Sequence, residues 1–317
     1  MSLFFIVNPA SAQGKGKSEF EKVKDFIEKA VKELTILYTE YPLHAVELTK
    51  KALKSGATKI ISFGGDGTHN EVLNGLLKGA EEIFKKSVFE FSPKEKELLP
   101  TLGFVSVGSG NDFRKTLKIP KDTLEALKIA LQDHYKSIDV GYFEYEDFSQ
   151  KPSNRFFLNI LSGGFSGVVT DRANKNKKSI LRGFVYFYAL LSTLLFITIP
   201  EGILTIKNRV INGKFFEFVI ANGKFFGGGM LISPKADVED GLLNITLFKD
   251  YSGFEILFKT PKLFNGSILT EKKLYHDFAK EIFVKTDPKS IVEVDGEVVG
   301  YTPVKASVIE KAIKVAI

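Results

Sequence analysis

Twice in its first half the chain runs from a short apolar segment into a glycine-rich turn and then into a helical pattern. Lys59–Phe63 leads into Gly64-Gly65-Asp66-Gly67 and a helix expected from about His69. Leu102–Val107 leads into Gly108-Ser109-Gly110-Asn111-Asp112-Phe113, with a helical pattern from about Leu124 to Gln132. Earlier segments follow the same plan: a strand at Leu3–Val7, an amphipathic stretch Ser18–Glu33, a strand near Thr35–Tyr38 and a helix His44–Ser55. Strands that alternate with helices require an α/β fold, a doubly wound and mainly parallel sheet covered on both faces. Ligands of such sheets gather at the carboxyl ends of the strands, where these glycine-rich turns fall.

The texture changes after about Tyr135. Short apolar strands separated by Gly, Asn and Asp turns are expected at Phe156–Leu161, Leu204–Lys207, Phe216–Asn222, Leu243–Phe248, Ile282–Lys285 and Ile291–Asp295. This pattern reads as a β-sandwich. A length of 317 residues supports two domains, drawn at 1–135 and 136–317, with the last residues free to return to the first. Segment 81–100 reads as a polar insertion or flap. The longest apolar stretch, Gly183–Pro200, is shorter inside than the roughly 20 residues that span a bilayer, and reads as a buried or partly membrane-facing helix. The opening MSLFFIVNPAS reads as a strand feeding a loop, not as a signal peptide.

Composition narrows the chemistry. No cysteine is present, which excludes disulfides and a thiol nucleophile, and four unclustered histidines argue against a transition-metal site. A hard oxygen site for Mg²⁺ stays open. A net charge of +6 favours anionic partners, yet the lysines are dispersed and no recognition module appears, so nucleic acid is not expected.

Three glycines around Asp66 let the backbone approach a ligand closely. The successive amides and the following helix N-terminus form an anion cradle. Asp66 would repel a bare phosphate and makes sense with Mg²⁺ between them. Thr68 adds a hydroxyl, and Asn70 and Glu71 can brace the loop. A tight strand–helix turn with Asp66 as a cap explains the same residues. In the second turn Asn111 and Asp112 offer polar contacts or caps. The first strand feeds Asn8-Pro9-Ala10-Ser11-Ala12-Gln13-Gly14-Lys15-Gly16-Lys17-Ser18, whose end imitates a P-loop but has Ser11 where the first glycine should stand.

In the second half, Asp237 and Asp240, with a backbone carbonyl just past Gly241, could hold a hard cation or simply form an acidic turn. Asp295-Gly296-Glu297 reads as a hairpin turn, or as the carboxylate that takes a proton from an attacking hydroxyl. Phe225-Phe226-Gly227-Gly228-Gly229-Met230 could line an apolar entrance or form a strand bulge.

Taken in order, these segments resemble the diacylglycerol kinase catalytic-domain family, which includes bacterial lipid kinases and the related sphingosine and ceramide kinases. Gly64-Gly65-Asp66-Gly67-Thr68-His69-Asn70-Glu71 and Gly108-Ser109-Gly110-Asn111-Asp112-Phe113 carry the likeness, with Ser109 in place of the family's threonine. The resemblance implies ATP in a cleft between the α/β domain and the β-sandwich. Asn8, Pro9, Ala10, Ser11, Ala12, Thr39, Gly64, Gly65, Asp66, Gly67, Thr68, His69, Asn70, Glu71, Ser109 and Asn111 would bind the nucleotide. Asp66 would organise a catalytic Mg²⁺, while Asp237, Asp240 and the Leu242 carbonyl would hold a second, structural one. Asp295 and Glu297 would supply the base and its partner.

The activity implied is ATP- and Mg²⁺-dependent transfer to a lipid hydroxyl, diacylglycerol to phosphatidic acid. An NAD kinase and a non-catalytic lipid-binding regulator are the alternatives. The resemblance further implies a cytoplasmic protein, peripheral to the inner face of the membrane, and leaves a homodimer open. The first loop departs from the family in having Ala12-Gln13 between Ser11 and Gly14.

Overall fold

The computed structural model describes residues 2–31, 33–108, 110–175, 194 and 197–317. The chain forms two compact units: residues 1–140 with 238–241 and 309–317, and residues 141–237 with 242–308.

The first unit holds strands β1 (Leu3–Val7), β2 (Leu34–Tyr38), β3 (Lys59–Gly64) and β4 (Thr101–Ser106) in the order β4-β3-β1-β2, all parallel. Every residue of β1, β3 and β4 is buried. Covered on both faces, they read in sequence as unbroken apolar runs. Helices α1 (Gly16–Ala30), α2 (His44–Lys54), α3 (Asp66–Phe84), α4 (Pro93–Leu98), α5 (Asp112–Thr116) and α6 (Thr123–Leu131) follow in chain order. The end of the chain adds a parallel neighbour to β4, with Val315 beside Leu102.

Two expectations are corrected here. Helix α3 starts at Asp66, not about His69, so Asp66-Gly67-Thr68 is its first turn and extended Gly65 precedes it. Segment 81–100 is not a flap. Helix α3 continues to Phe84, and the 3₁₀ turn Val88–Glu90 and α4 each open on a capping box, Ser87/Glu90 and Ser92/Glu95. Val88, Phe91 and Leu99 are buried beneath it, and Lys96 donates to the Glu310 carbonyl at 2.7 Å.

The second unit is β-rich. Its elements are β5 (Tyr135–Asp147, entering from the first unit), β6 (Pro152–Phe157), β7 (Ile160–Gly164), α7 (Phe165–Lys175), β8 (Glu201–Ile206), β9 (Arg209–Ala221), β10 (Phe225–Phe226), β11 (Met230–Leu231), β12 (Leu243–Lys249), α8 (Gly253–Asn265), β13 (Leu274–Ala279), β14 (Glu281–Asp287), β15 (Ile291–Val294) and β16 (Glu297–Ala316). The N-terminal half of β9 pairs with β8, and its C-terminal half with β7 and β12. Strand β16 pairs in turn with β15 and β14. These two long strands close a sandwich-like circuit of antiparallel pairs around a core of residues such as Phe157, Leu204, Phe218, Ile245 and Val304.

The strand expected at Phe156–Leu161 is broken in two, because the amides of Leu158 and Asn159 turn away to the Asp295 carboxylate. Phe225–Met230 is a small hairpin, Phe226 opposite Met230, turned by three glycines with positive φ. Most of Gly183–Pro200 lies outside the described residues. Among those described, no helix is long and apolar enough to cross a membrane.

Candidate functional site

In the first unit the order β4-β3-β1-β2 reverses direction between β1 and β3, and an open parallel sheet binds ligands at such a switch point. Both strands end there in the predicted loops. The Asn8 amide donates to the Phe63 carbonyl at 2.9 Å. The Asn8 side chain donates to Thr68 Oγ1 at 2.9 Å and accepts from the Ala10 amide at 3.0 Å. Ser11 Oγ donates back to the Asn8 carbonyl at 2.8 Å. A Cβ on Gly64 would sit 2.5 Å from Thr68 Oγ1, so only glycine lets α3 start this close to β3. At Gly67 a Cβ would meet nothing within 4 Å. No side chain caps the start of α3, and uncapped first-turn amides are the groups an anion site uses.

Asp66 stands in that first turn, and its Oδ2 accepts the Asp112 amide at 3.1 Å, which joins the two glycine-rich turns. Asn111, in the left-handed conformation, donates to the carbonyls of Ser106 (3.4 Å) and Gly108 (3.0 Å) and shapes the second turn. Ser109 lies outside the described residues. Thr39 is buried, with its amide on the Val7 carbonyl at the end of β1. Pro9 is half-buried, Ala10 exposed, and Ala12 takes a positive φ of 51°.

Three residues of the Gly64–Glu71 segment have side chains committed to bracing. His69 is buried between Ser62 Oγ (2.7 Å) and Ser106 Oγ (3.0 Å), and burial pushes its pKa down to about 3, so the ring is neutral. Asn70 accepts from Asn74 at 3.0 Å. Glu71 accepts the Ala45 amide at 3.1 Å, at the start of α2.

The donor set around Asp66, one hard carboxylate in the uncapped first turn of α3, fits a Mg²⁺ ion, which Asp66 would hold. Among the described residues no group of three or more His, Cys, Asp or Glu could hold a metal by itself. Asp237 and Asp240 are exposed; with the Leu242 carbonyl they are a hard-oxygen set that waters would have to complete. The carboxylate that orders the neighbouring turn is one the sequence did not flag. Asp139, fully buried, accepts the Gly241 amide at 2.6 Å and the Lys311 amide at 2.7 Å. A lone Asp between Ile138 and Val140 was the available signal.

In the second unit Asp295 and Gly296 form a hairpin turn with positive φ at both positions, 47° and 87°. The Asp295 carboxylate accepts three amides, from Leu158 (3.0 Å), Asn159 (3.1 Å) and Ile160 (2.9 Å). Glu297 pairs with Arg155 at 2.7 Å, and 45% of its side chain remains exposed.

Nearby in sequence, Glu293 faces an apolar cavity of about 150 Å³, lined by Phe165, Phe216, Phe226, Met230, Ile256 and Leu263, with Glu217 also in its wall. Glu217 accepts from Ser166 through both amide (2.8 Å) and hydroxyl (2.5 Å), and Glu293 accepts from Thr170 at 3.0 Å. Among the described residues, no lysine or arginine lines it. Enclosure raises Glu217 to about 8 and Glu293 to about 7, and the Asp295 charge adds to the latter.

A raised carboxyl pKa means that the folded state holds its proton more tightly than the unfolded chain. That stability is full below the unfolded value of 4.5 and is lost as pH rises through about 7 and 8. Thermal melts should therefore fall in temperature across this window. Glu217→Gln should flatten the slope, removing a pH-dependent difference on the order of 5 kcal/mol. An unaltered slope in the variant would show that Glu217 titrates normally.

Residues 2–143 match the family described as the diacylglycerol kinase catalytic domain. Residues 159–317 match the YegS C-terminal NAD kinase beta sandwich-like domain. The chain is 26% identical over 310 residues to a diacylglycerol kinase of Staphylococcus haemolyticus, covering 98% of this chain and 86% of that protein. It is 28% identical over 249 residues to a probable YegS-like lipid kinase of Chromohalobacter salexigens, covering 78% and 71%. A crystal structure of a putative diacylglycerol kinase from Bacillus anthracis superposes with a TM-score of 0.74 at 25% identity, over 99% of this chain and 97% of that one. With these two matches in succession, the chain belongs to the diacylglycerol kinase catalytic-domain family with a YegS-type C-terminal domain.

Proposed function

We propose that this protein is a lipid kinase that moves the γ-phosphate of ATP to a lipid hydroxyl in a Mg²⁺-dependent reaction, with diacylglycerol as the acceptor and phosphatidic acid as the product. The observation that carries the reading is the amide-lined start of α3 at the β1/β3 switch point, with Asp66 in its first turn. The amides from Gly65 to Thr68 and the Asn8–Ala12 and Gly108–Asn111 turns hold the phosphates, and Asp66 holds Mg²⁺. Mg²⁺ supplies charge neutralisation on the transferring phosphoryl group.

The acceptor side belongs to the second unit, where a cavity walled by phenylalanines, with no lysine or arginine among the described lining residues, suits an acyl chain. Both oxygens of Asp295 are held by amides, so Asp295 fixes the turn. Glu297, partly exposed, takes the proton of the attacking hydroxyl. Asp237, Asp240 and the Leu242 carbonyl are assigned the second, structural Mg²⁺. Peripheral association with the inner face of the membrane completes the reading.

Incubation with γ-labelled ATP, Mg²⁺ and a lipid panel, with products resolved by mass spectrometry, tests it. Label should enter diacylglycerol and require Mg²⁺. Transfer to NAD instead would make the protein an NAD kinase, and no transfer at all would leave it a lipid-binding regulator.

A further inference from the structure

Helix α8 is apolar on two faces. Gly253, Ile256 and Leu263 are buried, and Ile256, Leu257, Thr260 and Leu263 line the cavity. On the outer side Phe254, Phe258 and Phe264 are 61%, 81% and 56% exposed, and Leu257 is 41% exposed. A helix that spends four large apolar side chains on water is not explained by packing alone; contiguous exposed patches of this kind mark contact sites.

Two features indicate what covers this one. First, Leu257 belongs both to the exposed face and to the cavity wall, so the two share an apolar side chain. Second, the flanks are basic. From Gly253 to Lys273 four lysines (Lys259, Lys262, Lys272, Lys273) face two glutamates (Glu255, Glu271), leaving +2. Ion pairs of Lys259 and Lys262 with Glu271, each at 2.5 Å, and of Lys273 with Glu255 at 2.6 Å hold these groups beside the helix. Aromatics on one face with lysines alongside suit an interface of acyl chains and anionic headgroups.

Pro261 limits the depth. It has no amide to give the Leu257 carbonyl one turn back, and such a group keeps a partner only where water reaches it, at headgroup level.

We propose that the Phe254–Phe258–Phe264 face of α8 is the element by which this protein docks on an anionic bilayer surface. The role of the docking, bringing a bilayer acceptor to the mouth of the cavity, rests on the lipid-kinase reading; the docking itself does not.

The test is co-sedimentation with phosphatidylcholine vesicles, with and without phosphatidylglycerol, using wild type and the Phe254→Ser/Phe258→Ser double variant. Neither residue lines the cavity. The variant should keep its melting temperature and lose about tenfold or more in vesicle partitioning. Phosphorylation of a bilayer-embedded acceptor should fall in step, while that of a short-chain monomeric diacylglycerol is retained. Equal vesicle binding by the two proteins would overturn the proposal. So would a wild-type dimer in sedimentation that the variant dissolves without change in vesicle binding, since a second copy would then be the occupant. If wild type binds vesicles, the variant does not, and no lipid is phosphorylated, docking stands and the kinase reading falls.

Discussion

Asp66→Ala is expected to lower phosphoryl transfer by at least about 1,000-fold and to leave the protein folded. The carboxylate sits among the amides of the first turn of α3, whose start no side chain caps. Those amides suit phosphate, and a carboxylate among them would oppose its binding unless a cation intervened. Removing Asp66 should therefore cost the metal-dependent step far more than nucleotide binding alone. The alanine variant also leaves the Asp112 amide without its acceptor, so Asp66→Asn is the sharper probe. It keeps an oxygen for that amide and loses only charge. Both variants should fall together in kcat, measured at saturating Mg²⁺ and ATP. A rate near wild type in Asp66→Asn would remove the metal from the argument and leave Asp66 a link between turns.

Asp295→Ala is the second large effect, and here the loss is of the fold. Three buried amides, on consecutive residues Leu158, Asn159 and Ile160, give their hydrogens to this one carboxylate. An orphaned buried donor costs about 1–3 kcal/mol. Three would cost on the order of 5 kcal/mol, a large part of the roughly 5–15 kcal/mol that holds a domain together. The variant should melt far lower or fail to accumulate as soluble protein. Glu297→Gln behaves differently if Glu297 receives the proton: melting temperature close to wild type, kcat down about 100-fold or more. Measured side by side, calorimetry and single-turnover rates separate a carboxylate that positions from one that reacts. An Asp295→Ala protein as stable as wild type would show that the amides find other partners.

The outline of the fold was legible because it rests on local and periodic features. Fully buried parallel strands such as β1, β3 and β4 must be written as apolar runs, and α2 was found within a residue of its ends from its spacing alone. The start of α3 differs from the expectation because glycine is a poor helix former, and the apolar pattern says nothing of a helix that begins on an Asp-Gly turn. Segment 81–100 was misread through its polarity, although Ser87–Glu90 and Ser92–Glu95 carry the S-x-x-E spacing that announces a helix start. The rest was not local. The amides held by Asp295 lie more than 130 residues earlier, and Arg155 meets Glu297 across 142 positions. Glu217 stands between two phenylalanines of β9, and only the folded sandwich brings Ser166 to its carboxyl. Chemistry made by such pairings is invisible until the strands are in register.

Residues 309–317 belong to the first unit, where Val315 flanks β4 and the Lys311 amide reaches Asp139. A ribosome making this chain therefore completes the first unit only after the whole sandwich has emerged. Until residues 309–317 arrive, one side of β4 lacks its neighbour and the Asp139 carboxylate lacks the Lys311 amide. A fragment cut after residue 140 would carry the same defect permanently, so the two halves cannot be traded between relatives as simple cassettes; a working chimera must carry the matching terminal strand along with its first half.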